Sequence, residues 1–202
     1  MGLTRRLAVA ASGLLVLGCL GPSPTRAPRL FVLDATAPAA SGAELDVSIG
    51  VGPISLPKRL DRPQILTRTT DHEVQLAEFD QWAEPLDRGF ARAVAENLAR
   101  SIPTDRVAVY PWDRSAEIDW KIQIDVTHFE READGSVILA ARWRLIDEGE
   151  RKTLHHDAST FREIPDHSTV GALVAAMSRA VGALSSEIAA AIPTTGRAEA
   201  GG

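Results

Sequence analysis

The side chain with the most pointed chemical setting is Cys19, the single cysteine of the chain, in LVLGCLG at residues 15–21. Arg5 and Arg6 stand upstream, followed by the apolar run 7–17, the order of an export signal. That run is too short to span a bilayer as a helix. Val16, Leu17, Gly18 and Cys19 follow the bacterial lipobox pattern, in which a peptidase cuts before a cysteine already carrying diacylglycerol. The chemistry needs a thiol for the thioether and a small residue ahead of it at the cut. Gly18 and Cys19 supply both, although Leu17 is large for its position. The competing readings are a buried free thiol in a helix and an ordinary secretory signal whose cysteine is incidental. On the lipobox reading, Cys19 bears diacylglycerol and palmitate. One buried chain binds a membrane only marginally, at about 0.8 kcal/mol per CH₂, but two or three chains on one residue hold firmly. Leu20, rather than an aspartate, follows the cysteine, the outer-membrane pattern of enteric-type sorting.

No other set of side chains has the spacing of a reaction centre. A hydrolase needs a nucleophile with a base in reach, and no G-x-S-x-G turn occurs. His155 and His156 are adjacent on an expected strand, so they point to opposite faces and cannot share one metal. His72, His128 and His167 are scattered, so neither a metal nor a further cofactor is expected. Gly50-Val-Gly52-Pro53 lacks the third glycine and following helix of a nucleotide loop and reads as a strand end with a turn. Glu84 stands at an expected helix start, where an acid is favoured. The chain therefore reads as a non-enzyme.

Composition agrees. The formal charge is −5, and removing residues 1–18 takes away two arginines and no acid. An acidic chain without a Lys/Arg cluster is a poor nucleic-acid binder. With Cys19 acylated, no thiol remains for disulfides or metals. At 45% apolar residues the chain can bury one core. The expected organisation is a signal peptide (1–18), a proline-rich lipidated tether (19–28), one periplasmic domain (29–192) and a disordered tail (193–202).

Within the domain, strands are expected at 29–35, 43–54, 64–70, 72–79, 106–112, 118–132, 136–147 and 152–163. The clearest alternation places Ile118, Trp120, Ile122, Ile124 and Val126 on one face, answered across Asp134-Gly135 by Val137, Leu139, Ala141, Trp143 and Leu145. A helix is expected from Trp82 to Ser101, with Pro85 in its first turn and Leu86, Phe90, Val94 and Leu98 on one side. A second, from Val170 to Ile192, carries an apolar stripe from Val170 through Met177 and Ile188 to Ile192. The expected fold is α+β, a mostly antiparallel sheet with two helices packed on one face.

Three stretches in this order, LPKRLDRPQILTRT (56–69), QLAEFDQWAEPLDRGFARAVAENLA (75–99) and IDVTHFEREADGSVILAARWRL (124–145), resemble the ABC-type transport auxiliary lipoproteins of the PqiC type. The resemblance spans about residues 19–192 and includes the lipobox. It implies an outer-membrane-anchored, periplasm-facing lipoprotein that docks the MCE-domain protein of an intermembrane lipid transport system, with a self-assembled ring as one form. Such systems move phospholipid or other hydrophobic molecules and support envelope integrity. No catalytic residue comes with the resemblance. By position, the candidate partner-binding residues are Lys58, Arg59, Asp61 and Arg62 in the 56–63 loop, and Trp82 and Glu84 with Pro85. The competing readings are a solvated connection for the loop and a core tryptophan for Trp82. A scaffold lipoprotein of another outer-membrane machine is the alternative function.

Overall fold

The computed structural model describes residues 26–40, 45–113 and 116–193. Cys19, the signal segment and the tail beyond Pro193 lie outside the described residues.

Eight strands, β1 (Arg29–Phe31), β2 (Ile49–Ser55), β3 (Gln64–Arg68), β4 (Val74–Trp82), β5 (Val107–Val109), β6 (Trp120–Arg131), β7 (Val137–Asp147) and β8 (Lys152–Glu163), form one sheet. Helix α1 (Leu86–Ser101) follows β4, and α2 (Val170–Ala191) closes the domain.

The sheet is mixed, which corrects the expectation of a mostly antiparallel one. β7 runs antiparallel along one side of β6, and β8 antiparallel along β7. The other side of β6 is shared end to end by β2 and β3, both parallel to it: Ser55 aligns with Asp125, and Thr67 with Arg131. β5 pairs in parallel with β2, β4 antiparallel with β3, and β1 in parallel with β4. A parallel partner demands a long crossover. Here α1 carries the chain from β4 back to β5, while β6 lies far downstream of the strands it joins.

Both helices pack on one face of this sheet. Phe90 of α1 meets Phe129 of β6 edge to face, with ring centroids 5.3 Å apart. On α2, Glu187 accepts a hydrogen bond from the Trp143 indole of β7 at 3.2 Å. The expected inward residues of β6 and β7 are buried there, Ile122, Leu139 and Leu145 completely. The stripe of α2 is likewise covered: Leu173, Val174, Met177, Val181, Leu184 and Ile188 are all core. By length and composition α2 could cross a membrane, but 61% of its most apolar window is buried inside the domain. Thr169 caps it, its hydroxyl accepting from Ala172 N at 3.2 Å. Gly50-Val-Gly52-Pro53 lies inside β2, and Gly52 adopts φ +122 where a Cβ would come within 2.7 Å of Tyr110.

Between β1 and β2, residues 33–40 strap across both helices. The buried Asn97 side-chain carbonyl accepts from Thr36 N (2.8 Å) and Ala37 N (2.7 Å), while its amide donates to Ala93 O. Arg92 donates to Leu33 O, and Ser178 Oγ accepts from Asp34 N. These bonds satisfy backbone groups that no strand or helix pairs.

Candidate functional site

The loop between β2 and β3 is built, not merely strung. Pro57 opens a 3₁₀ turn, Lys58–Leu60, whose Leu60 is only 4% exposed and holds the loop to the core. The turn fills the space beside β6 where β2 has ended and β3 has not begun. There β6 carries Glu130, whose side chain has no exposure at all. Arg59 of the turn reaches it through Nε at 3.2 Å and Nη2 at 3.3 Å, and Arg68 of β3 through Nη2 at 2.6 Å. Burial alone pushes the Glu130 carboxyl up. The hydrogen bonds and charges of the two guanidiniums outweigh it and hold the group below the usual carboxylate range. The same contact with Glu130 raises Arg68 further. His128 faces the same way and contacts Glu132 at 2.5 Å and Glu130 at 3.6 Å.

His128, Glu130 and Glu132 bring their ligand atoms within 4.8 Å of one another, the donor set of a small cation site. At Glu130 the cationic role is taken by Arg59 and Arg68.

The second candidate stretch meets this loop. Trp82 N donates to Pro63 O at 2.7 Å, and Ala83 N to Phe31 O at 2.9 Å. Asp61, Arg62 and Pro63 on one side and Trp82, Glu84 and Pro85 on the other enclose a cleft of about 370 Å³. A neighbouring cleft of about 210 Å³, with Lys58 and Asp87 on its walls, shares Asp61 and Leu86 with it. The two stretches that the sequence offered separately therefore form one continuous surface. Lys58, Asp61 and Arg62 are exposed on it. Arg59 is committed to Glu130, and Trp82, 7% exposed, packs into the core and forms the floor.

Pro85 stands at the N-cap of α1, one position earlier than the expected first turn, and no side chain caps the helix. Glu84 instead accepts from Arg92 Nε at 3.0 Å, and Arg92 also binds Glu96 at 2.9 Å. Gly89 lets this carboxylate lie against the helix, for a Cβ there would stand 3.3 Å from Glu84 Oε1.

The chain approaches this surface from the N-terminal side. β1 lies along the end of β4, with Phe31 beside Trp82. Arg29 pairs with Asp80 at 2.5 Å, and the Arg26 guanidinium sits 5.4 Å from the centre of the Phe79 ring.

Glu130 and Arg68 were not among the candidate residues. The signal was a slip of phase. Apolar residues of β6 fall at even positions through Val126 and then at Phe129, and the register shifts between Val126 and His128. That bulge reorients Glu130 and its neighbours relative to the first half of the strand.

A family model described as the ABC-type transport auxiliary lipoprotein component matches residues 31–189. The intermembrane transport lipoprotein PqiC of Escherichia coli (strain K12) is 27% identical over 97 residues, 48% of this chain. The PqiC of Shigella flexneri gives the same values. The chain spans about half the length of the curated relatives it matches. Among solved structures, an uncharacterized protein aligns with TM-score 0.68 at 18% identity, covering 83% of this chain and all of its own. Protein XCC0632 of Xanthomonas campestris aligns with TM-score 0.65 at 19% identity, covering 79% and 92%. Those two likenesses concern the fold.

Proposed function

The chain belongs to the ABC-type transport auxiliary lipoprotein family, and on that premise we propose that it docks the MCE-domain component of an intermembrane lipid transport system at the outer membrane. Cys19 carries the diacylglycerol and palmitate that anchor it, the folded domain faces the periplasm, and the domain contributes binding rather than catalysis. The observation that carries this reading is the joining of the 58–63 turn to Trp82–Pro85 in two adjoining clefts with charged walls. That surface stands beside β1, the strand through which the tether reaches the domain. A tethered partner surface works best when it is already ordered, since little conformational entropy is then lost on binding. The Arg59–Glu130–Arg68 cluster and the Pro63–Trp82 hydrogen bond order it. Lys58, Asp61 and Arg62 present charge at the rim, where it steers association.

The test is site-specific photocrosslinking in cells, with the crosslinker at Arg62 and, as control, at the exposed Thr153 of β8. The reading expects an MCE-domain protein as the dominant product from position 62 and its absence from position 153. Capture of another outer-membrane machine, or equal capture from both positions, overturns it.

A further inference from the structure

The helix-free face of the sheet holds a groove of about 830 Å³ across β2, β6, β7 and β8. Arg142 and Arg144 of β7 project into it. They are two residues apart on one strand and so share a face, while the intervening Trp143 lies in the core on the other side. In register, Arg144 stands between Gln123 and His156, and Arg142 between Asp125 and Ala158.

The electrostatics of this face are unbalanced. Arg142 has no hydrogen bond or ion pair among the described residues. Arg144 gives one N–H to Gln123 Oε1 at 2.9 Å and meets no carboxylate among them. Asp125, directly across from Arg142, takes the Ser55 hydroxyl at 2.5 Å instead. Asp157, opposite Trp143 in register, also lines the groove, but it accepts from Ala158 N at 2.7 Å and pairs with neither arginine. Two guanidiniums with free donors, and an exposed imidazole next to them, thus face one open space.

We propose that this groove binds a phosphate ester, its oxyanion gripped by Arg142 and Arg144. The planar guanidinium fork matches phosphate oxygens in pairs, which an ammonium cannot do. Size favours an ester over free phosphate. The groove falls within the range of small-molecule sites, and Pro53, Ile54 and Ala158 supply an apolar part of its lining. An organic substituent fills that part, and inorganic phosphate leaves it to water. This groove adjoins the docking surface, Ile54 and Ser55 lining both it and the 210 Å³ cleft, but its arginines belong to neither docking cleft and the proposal does not depend on the docking reading.

The experiment is calorimetric titration of the full-length acylated protein in detergent micelles with sn-glycerol 3-phosphate, inorganic phosphate and glycerol. The expected result is saturable binding of sn-glycerol 3-phosphate, weaker binding of inorganic phosphate and none of glycerol. The R142Q/R144Q variant is expected to weaken ester binding about tenfold or more, roughly the loss of one charge-assisted contact, with an unchanged melting temperature. R142Q alone, which leaves the Arg144–Gln123 bond in place, is expected to lose part of the affinity and serves if the double variant melts early. Absence of saturable ester binding, or binding undiminished in both variants, overturns the proposal. Inorganic phosphate binding as tightly as the ester overturns the assignment of an ester.

Discussion

Arg68 of β3 donates to the fully buried carboxylate of Glu130 on β6 at 2.6 Å, one residue from the point where β3 joins β6 at Thr67 and Arg131. With Arg59 on the same carboxylate, this contact joins the candidate docking loop to the centre of the sheet.

Glu130→Gln removes the charge that both arginines serve. Because Arg59 and Arg68 keep 38% and 19% of their side-chain surface exposed, they can regain water, so the loss is expected at about 1–3 kcal/mol, that of a charged hydrogen-bonded group. Urea unfolding checks it, and an unchanged midpoint would show that the loop does not rely on Glu130. The pH dependence has a definite sign. The folded-state value lies below the ordinary 4.5, so the contribution is fully present above about that pH. It is lost as pH falls through the depressed folded value. Wild-type stability is expected to drop more steeply on acidification below that point than that of the Gln variant.

Gly182→Ala tests the strap. A Cβ at this position of α2 overlaps Thr36 Oγ1, and Thr36 also donates to Ser178 O at 3.3 Å. Overpacking of this kind costs about 1–3 kcal/mol. In a Thr36→Ala background the cost should shrink, because the next neighbours, Thr36 Cβ and Ala37 N, are at an ordinary 3.5 and 3.7 Å. Equal costs in the two backgrounds, measured by thermal unfolding, would rule out the overlap as the cause.

Phe90→Ala empties a fully buried site of α1 that meets Phe129 edge to face. The expected loss is about 3–5 kcal/mol. A loss under about 1 kcal/mol, read from denaturant midpoints, would contradict the packing of α1 on β6.

Cys19→Ala is expected to release the protein from membranes while its melting temperature stays unchanged, since the described fold starts at Arg26 and its first strand at Arg29. Fractionation of cells, with the partner deleted so that it cannot retain the variant, decides the matter. Persistence in the membrane fraction would count against the lipid anchor.

How much of this was legible beforehand depends on the range of the physics involved. Side-chain alternation along a strand and recurrence along a helix are local, so the faces of β6, β7, α1 and α2 could be read directly. Val137, Leu139, Trp143 and Leu145 are buried as expected. The lipobox, likewise, is a contiguous motif. Strand direction was not legible, because a parallel and an antiparallel neighbour impose the same alternation. The 56–63 loop and Trp82–Pro85 were both marked from the sequence, yet nothing local says that Pro63 accepts from Trp82 N.

The amino-acid sequence by itself determined the elements and their buried sides, because each depends on residues within a few turns or one strand of each other. Only the tertiary structure decided that the sheet is mixed, that Glu130 is a buried acid clasped from two other elements, and that Arg142 and Arg144 face open space with no carboxylate partner among the described residues. Those outcomes depend on which distant segments come to lie side by side. That choice is made by the packing of the whole core, and no short window of sequence carries it.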